Sequence, residues 1–120
     1  MTEMGAFTDH RGTITDLLGP VDAVTEIVTK AGAVRGNHVH LSTVQFTYIA
    51  SGRLLVARQT LDGGPPLTWE HIAGDLIEEP AAIGHAWKAL EDTVVLVFTR
   101  GPRSGDAYES DTTRLTVPLL

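Results

Sequence analysis

Histidines are the residues in this chain best suited to chemistry. Two of the five, His38 and His40, stand two positions apart in the stretch Arg35-Gly36-Asn37-His38-Val39-His40. In an extended backbone successive side chains alternate faces, so both rings point the same way. Two imidazoles side by side suit either a strand-borne metal site or an acid–base pair working near neutral pH. His85 lies in a separate segment flanked by glycine and proline, and only folding can bring it to the pair. Three imidazoles from two strands can bind a divalent metal and leave positions open for water or substrate. A lone strand histidine is more often an ordinary polar residue than a ligand. His10, in a terminal turn, and His71, between Glu70 and Ile72, are read that way.

The composition narrows the classes of function. There is no cysteine, which excludes disulfides, thiolate zinc sites and cysteine nucleophiles. The net charge of -6 gives no basic surface for nucleic acid and disfavours an anionic membrane. No apolar run approaches the length of a membrane span and the N-terminus has no signal-like core, so the chain reads as a cytoplasmic protein. At 120 residues and 42% hydrophobic, it is expected to form one domain with a single core. A small molecule is the expected partner.

The elements that must position the histidines are strands. Residues 14–18 read as a first strand, broken by Gly19-Pro20, and residues 23–30 as a second, rich in Val, Ile and Thr. Residues 44–50 and 53–61 read as a hairpin closed at Ser51-Gly52. Asp62-Gly63-Gly64-Pro65-Pro66 is the strongest loop signal. Residues 67–72, a short run at 76–79 stopped by Pro80, and residues 84–90 follow. Residues 93–99 are the most apolar strand, with the composition of one buried on both faces. Residues 100–114 read as a polar loop or arm, and 116–120 as a last edge strand limited by Pro118. No long helical periodicity occurs, and short strands at roughly ten-residue spacing predict an all-β sandwich or small barrel.

On this background Gly32, five residues, His38-Val39-His40, four residues, Gln45, six residues and Gly52 resemble the first cupin motif. Gly74, five residues and Pro80, followed by His85 after a turn at Gly84, resemble the second. The resemblance implies one cupin domain over residues 1–120. Its core motifs are 32–52 and 74–89, its fold is a double-stranded β-helix or jelly-roll barrel, and it pairs as a homodimer. It also implies a divalent transition metal (zinc, iron, manganese or nickel) held by His38, His40 and His85, with Gln45 where cupins usually carry glutamate. A neutral amide oxygen binds metal more weakly than a carboxylate, so Gln45 would be a weak ligand or a hydrogen-bond partner of one.

Arg-Gly-x-His-x-His, together with Asp9-His10-Arg11-Gly12, is similar to the small cupins of sugar-nucleotide biosynthesis. Three functions follow as expectations. The leading one is a metal-dependent enzyme on a small molecule, its ion polarising a carbonyl or activating water or dioxygen. The second is a metal-free sugar-nucleotide isomerase or epimerase with His38 and His40 as base and acid. The third is a non-catalytic small-molecule-binding domain. Arg35 is the candidate contact for an anionic substrate, the bland alternative being a rim arginine paired with a carboxylate. Trp87, on the face of His85 by parity, is the candidate wall of the pocket. Tyr48 is expected to face away from the barrel, Tyr108 to act as an acid only if the polar arm folds over the mouth, and Glu78-Glu79 to be a solvated strand end.

Overall fold

The structure, a computed structural model, describes residues 5–60, 62–102 and 105–120. Eleven strands and one short helix follow in the order β1 (Ala6–Asp9), β2 (Gly12–Thr15), β3 (Ala23–Thr29), β4 (Val34–His40), β5 (Val44–Ser51), β6 (Arg53–Thr60), β7 (Leu67–Ile72), β8 (Leu76–Glu79), β9 (Ile83–Ala89), β10 (Thr93–Arg100), α1 (Gly105–Asp111) and β11 (Thr112–Arg114). The strands form a four-stranded sheet, β3-β10-β5-β8, a five-stranded sheet, β11-β4-β9-β6-β7, and the separate hairpin β1-β2. Every pairing is antiparallel. Apart from β6 and β7, which pair with each other, successive strands from β3 to β11 pass back and forth between the two large sheets, which gives the jelly-roll barrel of the cupin fold.

Alternation builds the core. Along β10, Thr93, Val95, Val97 and Thr99 are buried, while Val94, Leu96 and Phe98 are half-buried on the outer face. Val95 and Val97 meet Ile49 and Ile77 of their own sheet and Leu54, Val56, Trp87 and Ala89 of the facing sheet in one cluster. Each fully buried aliphatic side chain of this kind stabilises the fold by about 1.5–3 kcal/mol. β5 and β6 are not the hairpin the sequence suggests: they lie in different sheets and do not pair. The chain crosses from one sheet to the other at Gly52, with φ +98°, where an added Cβ would stand 2.3 Å from Thr93 Oγ1. That turn accepts glycine alone.

Most of the predicted strands are present, and the ends of the chain differ. The first strand is not 14–18 but the hairpin β1-β2 around the Asp9–Gly12 turn, because Phe7 pairs across to Ile14. The expected strand at 116–120 is absent, since β11 has already taken the edge beside β4. Residues 100–114 hold a helix as well as β11, so the arm is not a loop. Strand β6 stops at Thr60, and Leu61, placed in that strand by the sequence reading, lies outside the described residues, as do residues 103–104 of the arm. Among the described residues no helix is long and apolar enough to cross a membrane.

Candidate functional site

A bulge in β4 creates the site. Arg35 pairs with Trp87 and Gly36 with Ala86, the register then shifts, and His38 pairs directly with His85. Arg35 and His38 are three positions apart and would face opposite sides of a regular strand. The extra residue, Asn37, brings both onto one cavity. The local sequence supplies the backbone this needs: Gly36 has φ +92° and Asn37 φ +58°, and asparagine is among the few non-glycine residues that adopt the left-handed region readily. A Cβ on Gly36 would lie 2.9 Å from the His85 carbonyl oxygen.

The three rings meet as the sequence suggested. His38 and His40 have ring centroids 4.6 Å apart, His38 and His85 4.7 Å, and His40 and His85 5.5 Å. His38 Nε2 and His85 Nε2 are 3.0 Å apart, so one donates to the other. His38 and His85 line the cavity, whereas His40 is only 2% exposed and lies behind them. The Thr112 hydroxyl donates to the Tyr108 carbonyl at 2.8 Å. Its oxygen is therefore left to accept from His40 Nδ1 at 3.0 Å.

Burial sets the charge states. Desolvation, helped by the neighbouring His85, His40 and Arg114, pulls His38 down to about 3. His85 falls to about 4, mainly by burial and also by the positive charge of Arg58, with the Ile83 backbone acting the other way. Both rings are therefore neutral at neutral pH. Glu79 rises to about 7 through burial, against the stabilising pull of the Thr47 hydrogen bond and of Arg58 and His40. Its Oε1 accepts from the Thr47 hydroxyl at 3.1 Å, and its Oε2 lies 3.1 Å from His85 Nε2. Since burial favours the uncharged forms of both partners, the Glu79–His85 contact is not a full ion pair at neutral pH.

The C-terminal arm closes the cavity. Its anchor is Asp111, whose Oδ1 accepts from the Ser42 backbone and hydroxyl at 2.7 and 2.5 Å and whose Oδ2 accepts from the Thr43 backbone at 3.1 Å. Burial pushes this carboxyl up, but those hydrogen bonds outweigh it and hold it at about 2. With Asp111 seated, α1 and β11 present Tyr108, Glu109, Thr112 and Arg114 to the cavity, whose volume is about 450 Å³. The Tyr108 ring sits 5.5 Å from that of His40.

The other expected residues fall as follows. Gln45 and Trp87 line the cavity, and Trp87 also belongs to the core cluster. Arg35 lines it too, and its guanidinium donates to Thr29 Oγ1 at 2.9 Å and the Val28 carbonyl at 3.2 Å, both neutral oxygens. Tyr48 is not among the lining residues, as parity required. Glu79 is not a solvated strand end: it is 3% exposed and sits directly across from Gln45 on β5. Parity carries that signal, because Glu79 shares a face with the core residue Ile77. Thr47, Glu109, Thr112 and Arg114 are lining residues the sequence reading did not single out.

The three histidines also fit a divalent ion. Each offers one ring nitrogen, and these atoms lie within 4.8 Å of one another, a donor set suited to zinc, iron, manganese or nickel.

No protein-family model matches the chain, and no curated protein matches it in sequence. Solved structures match in fold. The capsular polysaccharide assembling protein CapF from Staphylococcus aureus superposes with a TM-score of 0.72 at 19% identity over 93% of this chain, which spans only 34% of CapF. The dTDP-4-dehydrorhamnose 3,5-epimerase from Sulfolobus tokodaii gives 0.70 at 18% identity, covering 91% of this chain and 72% of that one. The sugar 3,4-ketoisomerase QdtA from Thermoanaerobacterium thermosaccharolyticum, solved with TDP, gives 0.73 at 17% identity, covering 95% and 85%. The chain shares the cupin fold of these proteins.

Proposed function

We propose that this chain is an acid–base enzyme that isomerises or epimerises a nucleotide-linked keto sugar. The observation that carries the reading is His38: a neutral imidazole lining a 450 Å³ cavity, hydrogen-bonded to His85 and facing a wall that holds Tyr108. A neutral ring is the form that accepts a proton. His38 takes the proton from the carbon next to the ketone, and the C–H electron pair moves into an enolate. In ketoisomerisation the hydroxyl on that carbon gives up its proton and becomes the new ketone, the former carbonyl oxygen gains a proton, and the abstracted proton is returned to the former carbonyl carbon; in epimerisation it is returned at the opposite face of the carbon it left. Tyr108 is the group placed to serve the carbonyl oxygen. His40, behind His38, orients it rather than acting as the partner acid expected from the sequence. Arg35 and Arg114 at the cavity suit a diphosphate. The fold neighbours, an epimerase and a ketoisomerase solved with TDP, support the same substrate class.

A second reading rests on the three-histidine cluster. His38, His40 and His85 would hold a divalent ion, which would supply Lewis-acid activation of the carbonyl oxygen. Turnover of a panel of TDP-4-keto sugars, with and without chelator, separates the two. Undiminished turnover in chelator supports the first, and turnover that needs added metal supports the second. No stabilisation or turnover with any nucleotide sugar overturns both as sugar-nucleotide assignments. The exposed Val24 and Val28, beside the outer residues Phe98 and Val94, support a homodimer formed on that sheet face, which sedimentation would test.

A further inference from the structure

We propose that Asn37 is a positioning residue that aims His38 into the cavity by gripping residues 115–120; the catalytic part of this inference rests on the function proposed above. The Asn37 carbonyl accepts from the Leu115 backbone at 2.9 Å. Its side-chain Oδ1 accepts from the Leu119 backbone at 2.7 Å and the Leu120 backbone at 3.3 Å, and Nδ2 donates to the Leu120 carbonyl at 3.3 Å. The carbonyl and both polar side-chain atoms of one residue are thus committed to a segment that forms no strand of its own.

That residue is the extra one in the β4 bulge, and His38 follows it directly. The bulge is fixed on one side by the close approach of Gly36 to His85 and Ala86. On the other side the Asn37 grip holds it. For φ +58° alone, glycine would serve at lower steric cost. An asparagine there adds a side chain shaped like a peptide group, which pairs with passing backbone as a strand edge would. Arg35 is anchored separately, by Thr29 and Val28. Release of the grip therefore disturbs His38 and spares Arg35.

The experiment compares Asn37→Gly, a truncation after Pro118, the two combined, and Asn37→Asp. Asn37→Gly keeps the backbone conformation accessible, and the truncation leaves every cavity residue in place. The first readout is the imidazole 15N and 1H signals of His38 in ligand-free protein, with His71 as internal control. Expected are similar shifts of the His38 signals in each single change, no further shift in the combination, unchanged His71, and substantial recovery in Asn37→Asp, which keeps the acceptor for both amides. On the substrate turned over by the parent, kcat falls about tenfold to a hundredfold, with KM within about threefold because Arg35 stays anchored. Unmoved His38 signals in both single changes, or losses that multiply in the combination, overturn the proposal. If the parent turns over no nucleotide sugar, the functional reading fails and the ligand-free signals still decide the grip.

Discussion

The cavity has two walls of different construction. The barrel wall, from β4, β5 and β9, carries His38, Gln45, Thr47, His85 and Trp87 on strands that are paired on both sides within the two large sheets. The arm wall, residues 105–120, carries Tyr108, Glu109, Thr112 and Arg114 and is tied down at three places: Asp111 on Ser42 and Thr43, β11 on β4, and the tail on Asn37. Changes among the packed barrel residues disturb the fold, whereas the cavity-facing residues of the arm can change one by one. A fold of this kind can keep its base in the barrel and adjust its acid and its substrate contacts in the arm.

Several changes would break or sharpen this contrast. The largest effect is expected for His38→Asn, which removes the base. Turnover should fall on the order of 10³-fold with the melting temperature nearly unchanged, read by steady-state kinetics beside calorimetry. Gly52→Ala should act on the barrel alone. Its Cβ would stand 2.6 Å from the Asp92 carbonyl oxygen, and denaturant unfolding should show a loss of about 3 kcal/mol. Tyr108→Phe should do the reverse: kcat drops about 100-fold with stability within about 0.5 kcal/mol. Arg114→Ala, also on the arm, should raise KM for a nucleotide sugar about tenfold through one lost charge-assisted hydrogen bond.

The smallest effect is a pH dependence of stability that belongs to the barrel wall. His38 and His85 are lowered from 6.5 to about 3 and about 4. Below pH 6.5 the unfolded chain binds protons that these two folded residues refuse, so stability falls as pH falls through that window. Glu79, raised from 4.5 to about 7, works oppositely: its contribution is complete below 4.5 and is lost as pH rises through 7. Two groups against one leave a net loss on acidification from 6.5 to 4.5. His38→Asn should make the melting temperature less sensitive over that interval. A slope as steep as the parent's would contradict the assignment of a neutral buried His38.

The two walls also differ in how much of them the sequence disclosed. In the barrel, counting alone put His38 and His40 on one face, because successive strand side chains alternate, whereas the expectation that His85 joins them came from the resemblance of Gly32, His38, His40, Gln45, Gly52 and His85 to the cupin motifs. Counting failed where a residue was added: Arg35 and His38 share the cavity only through the bulge at Asn37. The adjacent Gly36-Asn37, two residues tolerant of positive φ, was the available signal. Glu79 was misread because its neighbour Glu78 and the following Pro80 suggested a surface, although parity with Ile77 pointed inward. The arm was barely legible. A seven-residue helix is too short for a hydrophobic period to declare itself, and its hold on the barrel comes from Asp111, a contact between residues about seventy apart in the chain.

The central claim is that His38 moves a proton at the carbon beside a ketone. The direct test is to incubate the protein with a TDP-4-keto sugar in D2O containing a chelator and to follow the sugar protons by NMR. The account predicts deuterium entering at the carbon next to the carbonyl, with the isomerised or epimerised sugar appearing in parallel and His38→Asn abolishing both. A sugar that binds the protein yet keeps all its protons would contradict it.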